Sequence, residues 1–433
     1  MRRSLQLLVV FLVLVGVVPG LVRGADETVV YLPLLANQPE PIYALGPEQL
    51  GVALPVATKP AAFFADQVAE PGGKLAIWLP PGRPFVRGAF FLNGSLLKPN
   101  PGDPDWRNEV AQTRLFAARQ LASLWNFALI TGDVWDIPEP AAHLDGALNH
   151  WATTLNRPEL AHVPLAIDGG SRFSNFCRKQ AAEHFPGRIL ACTIIVAGAA
   201  TTSAANRTVP SMVVVGERDR GAEIIAKSVI PNRASGSLLA AALMWKIDHK
   251  CDRCQDLTWP YLDRVIAMRL SAEADPRNGP LQLHDLAENQ GFLADLNTWS
   301  GPWAYGAVSG DPLALGWLPD RTTALIWRAF AINNPPLTIT APTQPYKWAN
   351  GFSQKPSTLR SGTAVTLQAS ISAPVDGTLT FYDGDQPLGV GVRSTDGKNV
   401  TLSDVYLEPG MHSFWVMSAN GPVSWPAGLI VLP

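Results

Sequence analysis

The sequence predicts two folded parts: an α/β domain with a mostly parallel sheet covered by helices on both faces, and an all-β sandwich after it. Its length of 433 residues exceeds what one domain usually holds. Apolar strand-like runs alternate with amphipathic helical patterns over residues 45–332. Short alternating strands separated by turn residues occupy 346–433. The α/β class and the second domain both follow from this change in pattern.

Composition narrows the range of functions. Hydrophobic residues make up 47% of the chain and charged residues 16%, which is typical of a packed globular protein. The formal net charge is −2 and no basic stripe is present, so the electrostatic signature of a nucleic-acid-binding protein is missing.

Residues 1–24 have the pattern of a secretory signal peptide. Arg2 and Arg3 precede the apolar run 5–18, and small residues stand before Ala25. An uncleaved anchor is the alternative, but the run is short for a membrane span. We therefore expect an exported protein, secreted or associated with the cell surface, with no membrane span after cleavage.

The α/β domain is predicted over 45–332, after an exposed lead-in at 25–44. Near-continuous apolar strands that alternate with helices indicate a parallel sheet buried on both faces. The predicted strands are 87–94, 126–133, 163–168, 189–196, 211–216 and 237–247. The predicted helices are 108–124, 141–155, 172–185, 221–230 and 257–270.

The C-terminal part has a different texture. Residues 333–345 are rich in proline and are predicted to be a linker. Residues 346–433 then show short alternating strands with turn signals such as DGD, TDGK and EPG. A small immunoglobulin-like β-sandwich fits this length and pattern.

A strand, a tight turn and a helix surround Ser171. The strand 163–168 is followed by glycines and then by the serine, and the helix 172–185 comes next. A nucleophile elbow needs this context, and its usual signature is G-x-S-x-G. Gly169 stands two before the serine, whereas Phe173 stands where the second glycine belongs. Ser171 is therefore a candidate nucleophile, and an ordinary loop serine is the alternative.

Candidate partners for Ser171 follow later strands. Strand 211–216 is followed by Glu217 and Asp219, and Asp219 lies at the usual offset for the acid of a triad. His249 follows strand 237–247, and it fits the chain order Ser, acid, His. Glu217 remains the alternative acid, and a solvated loop carboxylate is the alternative role for Asp219.

At these segments the chain resembles the α/β-hydrolase superfamily. More narrowly, it resembles the secreted bacterial esterases related to polyhydroxyalkanoate depolymerases and feruloyl esterases. The resemblance covers residues 45–330. It rests on the order and spacing of SRFSNFCRKQAAEHFPGRILA, VPSMVVVGERD, the DH pair followed by YLDRVIAMRL, and GWLPDRTTALIWRAF.

The resemblance implies a role for each of the three residues. Ser171 would attack a carbonyl carbon, and His249 would take its proton and later give one to the leaving group. Asp219 would hold the imidazole in the right tautomer. Such a serine ester hydrolase works through an acyl-enzyme and needs no metal or organic cofactor. Its substrate would be a small or a polymeric ester.

The resemblance also implies an oxyanion hole. Its donors would be the backbone N–H of Arg172 and one from the loop near Gly94 or Ser95. NGSLL replaces the familiar HG-type loop here, and Phe173 is a second departure near the same site. These departures favour an alternative function, a catalytically inactive α/β-hydrolase-like binding protein on the cell surface. A pure adhesion protein is a third class, favoured only by the C-terminal part.

Four cysteines are present, and an even count in an exported chain suggests disulfides. Three pairings are open, and the local ones, Cys177 with Cys192 and Cys251 with Cys254, are preferred. His249 with Cys251 and Cys254 also resembles part of a zinc site. Only three ligands are visible there, so a disulfide is the preferred interpretation.

The chain has 14 tryptophans. Most lie inside strand or helix patterns, which favours packing roles over sugar binding. Trp299 and Trp303 are predicted to be the exposed pair. By analogy, the C-terminal sandwich would serve as a spacer or contact a surface or a polymer such as a polysaccharide.

Overall fold

The computed structural model describes residues 67–93, 115, 117–132, 134, 137–171, 176–251, 253–342 and 359–433. The predicted signal peptide at 1–24 and the lead-in at 25–44 lie outside these ranges. All described residues fall within one compact unit. Within the same ranges, no helix combines the length and the apolar character that a membrane span requires.

The largest sheet in the described part of the chain has eight strands in the order β1-β2-β4-β3-β5-β6-β7-β8. Its strands are β1 (Val68–Ala69), β2 (Leu75–Trp78), β3 (Gly88–Asn93), β4 (Phe127–Gly132), β5 (Leu165–Gly170), β6 (Ile189–Ile195), β7 (Ser211–Gly216) and β8 (Leu239–Met244). From β4 to β8 across the sheet all neighbours are parallel. β2 pairs antiparallel with β4, and β1 pairs antiparallel with β2.

Helices cover both faces of this sheet, as the sequence predicts. The labelled helices are α1 (Pro140–Thr154), α2 (the π-helix Phe176–Ala181 continued by Ala182–His184), α3 (Gly221–Ile224, Ile225–Val229 and Ile230–Ala234), α4 (Gln255–Arg269) and α5 (Arg321–Phe330). Residues 117–125 are also helical. α1 and α2 bury their apolar side chains on one face, and α3, α4, α5 and 117–125 do so on the other.

The six predicted strands are all present, and the sheet has two more at one edge. β1 and β2 are short, and no sequence pattern predicted them. β2 is only four residues long and all four are apolar and buried, so no period-two alternation marks it, and the run is short. The architecture is therefore a mixed sheet, mostly parallel, that fits the α/β-hydrolase class.

A second, three-stranded antiparallel sheet was also missed. It has the order β10-β9-β11, from β9 (Phe292–Asp295), β10 (Ser300–Ala304) and β11 (Gly316–Leu318). Trp303 on this sheet is 41% exposed, as predicted. Trp299 instead packs between Trp245 and Trp327, with ring centroids about equally far from both at 6.1 and 6.2 Å. The prediction of an exposed pair is thus wrong for Trp299, because its ring completes an aromatic cluster.

Residues 337–342 and 359–433 form what we call the C-terminal β module. Two sheets, in the orders β12-β14-β18-β17 and β13-β21-β19-β15-β16, enclose one apolar core, and β20 pairs with β19. The strands are β12 (Leu337–Ala341), β13 (Leu359–Arg360), β14 (Ala364–Ile371), β15 (Thr380–Asp383), β16 (Gln386–Val390), β17 (Val392–Arg393), β18 (Asn399–Tyr406), β19 (Gly410–Ser418), β20 (Gly421–Pro422) and β21 (Ala427–Leu432).

The boundary of this module differs from the predicted one. Residues 333–345 were predicted as a linker, but β12 lies within them and pairs antiparallel with β14. Leu337 is buried in the module core. Proline residues flank the strand and made it look like a connection, while its alternating LTITA pattern is that of an edge strand.

Candidate active site

The three residues singled out from the sequence lie at the same edge of the main sheet. Ser171 directly follows β5, Asp219 lies in the turn after β7, and His249 lies in the loop after β8. These strands are parallel, so their carboxyl ends meet at one edge, where sites in open α/β sheets are found. The topology therefore brings together residues that lie 30 to 78 positions apart in the sequence.

Ser171 has a left-handed backbone conformation, with φ of 52°. A residue with a side chain is uncommon in this region, and such strain clusters at functional sites. The serine directly follows β5 and is partly exposed. This is the backbone geometry that a nucleophile elbow requires.

The Ser171 hydroxyl, the His249 imidazole and the Asp219 carboxylate form one continuous chain of hydrogen bonds. His249 Nδ1 lies 2.6 Å from Asp219 Oδ2, and His249 Nε2 lies 3.0 Å from Ser171 Oγ. The carboxylate can only accept, so Nδ1 carries the hydrogen and Nε2 is left to accept from the serine hydroxyl. The His249 side chain is 54% exposed, so the arrangement is open to solvent.

The loop of His249 is fastened to the loop of Asp219. The Arg218 N–H donates to the Ile247 carbonyl at 2.9 Å. The Lys246 N–H donates to the Glu217 carboxylate at 2.8 Å. Glu217, the alternative acid, thus binds the backbone of the histidine loop, and it is Asp219 that faces His249.

Gly216 permits this close approach. A Cβ at this position would collide with the carbonyl oxygens of Ile247 and Asp248. Glycine is therefore needed at the end of β7 for the two loops to pack. From the sequence this glycine is only the end of a strand, because the requirement comes from a contact with a distant loop.

Asp168 is a second feature that the sequence analysis did not assign. Its side chain is buried beneath the turn, where the Trp259 indole N–H donates to it at 3.0 Å and the Thr193 hydroxyl at 2.5 Å. These bonds tie the end of β5 to β6 and α4. A carboxylate inside an otherwise apolar strand was the available signal.

The predicted oxyanion donors Arg172, Gly94 and Ser95 lie outside the described residues, and so does Phe173. Their roles stay predictions. Strand β3 ends at Asn93, in the main sheet directly beside β5. The segment after it thus starts from the same edge of the sheet as Ser171.

The cysteines form the two preferred disulfides. Cys177 on α2 pairs with Cys192 on β6, and Cys251 pairs with Cys254. Because both sulfurs of the second pair are bonded to each other and His249 faces Asp219 and Ser171, the alternative zinc site is wrong. Across the described ranges, no cluster of three or more His, Cys, Asp or Glu side chains is arranged to hold a metal ion.

A second aspartate–histidine pair lies in the C-terminal β module. His412 Nδ1 is 2.5 Å from Asp383 Oδ2, and Nε2 is 2.8 Å from the Glu408 carbonyl oxygen. Both partners only accept hydrogen bonds, so the ring is held with two N–H groups. Burial opposes the charged form, but the Asp383 carboxylate, the Glu408 carbonyl and the nearby Asp263 carboxylate raise the pKa of His412.

Asp263 on α4 faces this pair from the α/β domain. Burial raises its pKa to about 6, although the Trp125 indole N–H donates to the carboxylate at 2.7 Å and Arg264 lies nearby. The Arg264 guanidinium in turn pairs with Asp320 at 2.7 Å.

No protein-family model matches the chain, and no curated protein matches it. Solved structures of esterases and hydrolases are similar to part of it. A thermostable esterase is 14% identical over 43% of this chain and 56% of that one, with a TM-score of 0.31. The chain thus matches little more than half the length of that esterase.

Two further solved structures are similar at the same level. A dienelactone hydrolase from Anabaena variabilis is 16% identical over 42% of this chain and 85% of that one, with a TM-score of 0.27. An esterase from Pyrobaculum calidifontis is 13% identical over 44% of this chain and 80% of that one, also with a TM-score of 0.27.

Proposed function

We propose that the chain is a serine hydrolase of carboxylic esters, with Ser171 as nucleophile, His249 as general base and acid, and Asp219 as the group that orients the histidine. The observation that carries this proposal is the hydrogen-bonded series from Ser171 Oγ through His249 to Asp219, at 3.0 and 2.6 Å. A nucleophile within reach of a base that a third group orients is the general signature of such catalysis.

In the acylation step Ser171 Oγ bonds to the carbonyl carbon of the ester, and its proton moves to His249 Nε2. The negative charge of Asp219 stabilises the imidazolium that forms. The carbon–oxygen bond to the alcohol then breaks, and His249 returns the proton to the departing oxygen. An ester between the acyl group and Ser171 remains.

In the deacylation step a water molecule takes the place of the alcohol. His249 removes one proton from the water as its oxygen bonds to the acyl carbon, and then delivers that proton to Ser171 Oγ. The acid product leaves and the free serine is restored. The open setting of His249, which is 54% exposed, gives water access for this step.

The choice of esters among acyl compounds follows the resemblance of residues 45–330 to secreted esterases. Two disulfides fit a protein that works outside the cytoplasm, where thiols oxidise. We therefore assign the proposed activity to the exported, mature chain, in which the module would be the immunoglobulin-like spacer or surface contact predicted from the sequence.

The test measures hydrolysis of p-nitrophenyl esters with short and medium acyl chains by the chain from Ala25 onward. We expect Ser171→Ala to lower kcat by about 10⁴-fold or more, because the nucleophile is lost. A fluorophosphonate probe should label the wild type at Ser171. Ser235→Ala is the matched control, since the Ser235 hydroxyl donates to the Pro231 carbonyl and not to a base; it should keep full activity.

A wild type no faster than Ser171→Ala over the whole ester series, with no probe labelling, would overturn the proposal. The binding-protein alternative, which Phe173 favours, predicts that outcome. In that case the hydrogen-bonded series from Ser171 to Asp219 would be present without supporting catalysis.

A further inference from the structure

A disulfide closes the chain directly after the loop of His249. Cys251 is two residues beyond the histidine, and it is bonded to Cys254, with 5.4 Å between the Cα atoms. Both cysteines are buried in the main core. The histidine loop therefore ends in a short, covalently closed ring, so a displacement of this ring reaches His249 through one intervening residue.

Arg253 lies inside this ring, and its cation is held between two aromatic rings. Its guanidinium carbon is 4.6 Å from the centroid of Phe330, at the end of α5. It is 3.6 Å from the centroid of Trp425, which belongs to the C-terminal β module. A guanidinium over aromatic faces is attracted by their ring electrons, and more strongly when water is excluded. Arg253 is 9% exposed, so that condition holds.

Two tryptophan side chains bond to backbone carbonyls directly after α5. The Trp425 indole N–H donates to the Ile332 carbonyl at 2.8 Å. The Trp245 indole N–H, at the start of the histidine loop, donates to the Ala331 carbonyl at 2.9 Å. The start of the histidine loop, the ring Cys251–Cys254 and the module thus all contact residues 330–332.

A further bond joins the module to the first turn of α4. The Gly428 N–H donates to the buried Asp256 carboxylate at 3.0 Å. Next to it, Ile430 and Leu432 of β21 belong to the same buried cluster as Leu257 of α4. The contact between the module and the segment after His249 therefore combines apolar packing, a hydrogen bond and a cation–π interaction.

We propose that the C-terminal β module positions the histidine loop, with Arg253 and Trp425 as positioning residues that act through the ring Cys251–Cys254. This rests on the proposed function, since it concerns the alignment of His249 with Ser171. The module is then a part of the hydrolytic unit and not only a spacer.

The first test does not depend on hydrolysis. In the full mature chain, amide hydrogen exchange over 245–254 is compared among wild type, Trp425→Ala and Val400→Ala. Val400 is fully buried in the module core and does not belong to the main core, so its variant loosens packing inside the module, away from the contact with the histidine loop. We expect Trp425→Ala to speed exchange in this segment at least fivefold and Val400→Ala to leave it unchanged.

The second test separates kcat from KM in ester hydrolysis. Trp425→Ala and Arg253→Met should each lower kcat at least fivefold and change KM less than twofold, because His249 acts on the transition state. Trp425→Phe and Arg253→Lys keep a ring and a cation, so they should recover most of the loss. Arg277→Met is the matched control, as Arg277 lies over the Phe85 ring in another part of the chain.

The outcomes distinguish the two proposals. Equal exchange over 245–254 in Trp425→Ala and wild type would overturn the positioning role, whatever the activity. Faster exchange with an inactive wild type would leave the contact between module and loop established and overturn the proposed function. An active wild type whose Trp425→Ala variant keeps kcat would show that the contact stabilises the fold without serving catalysis, which also overturns the positioning role.

Discussion

Two aspartate–histidine pairs with nearly the same separation in sequence, 30 and 29 residues, lie in opposite surroundings. At the edge of the main sheet, His249 is 54% exposed and its second nitrogen faces a hydroxyl. In the C-terminal β module, His412 is only 12% exposed and its second nitrogen faces a carbonyl oxygen. The first nitrogen faces a carboxylate in both.

The difference shows that an aspartate beside a histidine does not make a catalytic base. A hydroxyl at Nε2 lets the ring accept a proton, so His249 can cycle between two states. A carbonyl at Nε2 can only accept, so both ring nitrogens of His412 face acceptors, an arrangement that favours its doubly protonated form. Under the proposed function, the same pair of residues thus serves proton transfer in one region and packing in the other.

The largest difference is expected when each of the two histidines is replaced by asparagine. The asparagine amide can still donate a hydrogen bond to the aspartate, but it has no counterpart of the histidine Nε2. We expect His249→Asn to lower kcat for ester hydrolysis by about 10⁴-fold or more with little change in stability. His412→Asn should keep kcat within twofold and lower the free energy of unfolding by about 1 to 3 kcal/mol.

These values are measured by steady-state kinetics and by denaturant unfolding followed by tryptophan fluorescence. A large loss of kcat in His412→Asn at full folding would contradict the division of roles.

The next largest effect is expected from a substitution that displaces His249 from Asp219 and changes neither residue. Gly216→Ala would place a methyl group against the Ile247 and Asp248 carbonyls and push the histidine loop away. A displacement of about 1 Å can cost about 10²-fold, so we expect kcat to fall by about 10- to 100-fold.

Gly146→Ala is the matched control, because a Cβ there meets no neighbour within 4 Å. Alanine at that position in α1 should slightly stabilise the chain and leave kcat unchanged. Equal kcat in both variants would mean that the two loops are not held by close packing at Gly216.

A smaller effect on the free energy of unfolding is expected at Asp263, whose carboxylate lies near His412. Asp263 has its pKa raised to about 6, above the unfolded value of 3.8. Its folded form thus holds a proton that the unfolded form has lost, and the stability present at low pH declines as the pH rises from about 4 to about 6. Asp263→Asn removes this decline, although it also removes a carboxylate that favours the His412 cation.

We therefore expect Asp263→Asn to be more stable than wild type above pH 6, by about 1 to 2 kcal/mol because Asp263 keeps some solvent contact. The gain should shrink as the pH falls towards 4. Denaturant unfolding between pH 4 and 8 measures it, with the exposed Asp376→Asn as control. A gain that grows towards low pH would show that the sign is wrong.

The smallest effect is expected at a third pair, on the surface. His184 Nε2 lies 3.4 Å from Asp145 Oδ2, and both side chains are 36% exposed. Exposed ion pairs contribute little, so His184→Asn should change the free energy of unfolding by less than about 0.5 kcal/mol and leave kcat unchanged. A change as large as that of His412→Asn would mean that exposure does not explain the contrast between the pairs.

Much of the architecture was predictable from the sequence. Apolar runs such as 211–216 have a length and composition that indicate a buried strand, and β7 has the same bounds. The order of Ser171, Asp219 and His249 after three of the predicted parallel strands placed all three at one edge. Local spacing likewise favoured both disulfides.

Other features could not be predicted from the sequence. Strand β12 looked like a proline-rich linker, because only its pairing with β14 makes it part of a sheet. Trp299 looked exposed, because its neighbours Trp245 and Trp327 are distant in sequence.

The sequence by itself determined which residues stand at strand ends, because periodicity and turn residues are local properties of the chain. Only the tertiary structure decided that Ser171 is strained, that Asp219 and not Glu217 faces His249, and that Arg253 lies between Phe330 and Trp425. Each of these depends on the distance between segments far apart in sequence. Such distances arise from how loops and domains pack, and no local pattern of residues specifies them.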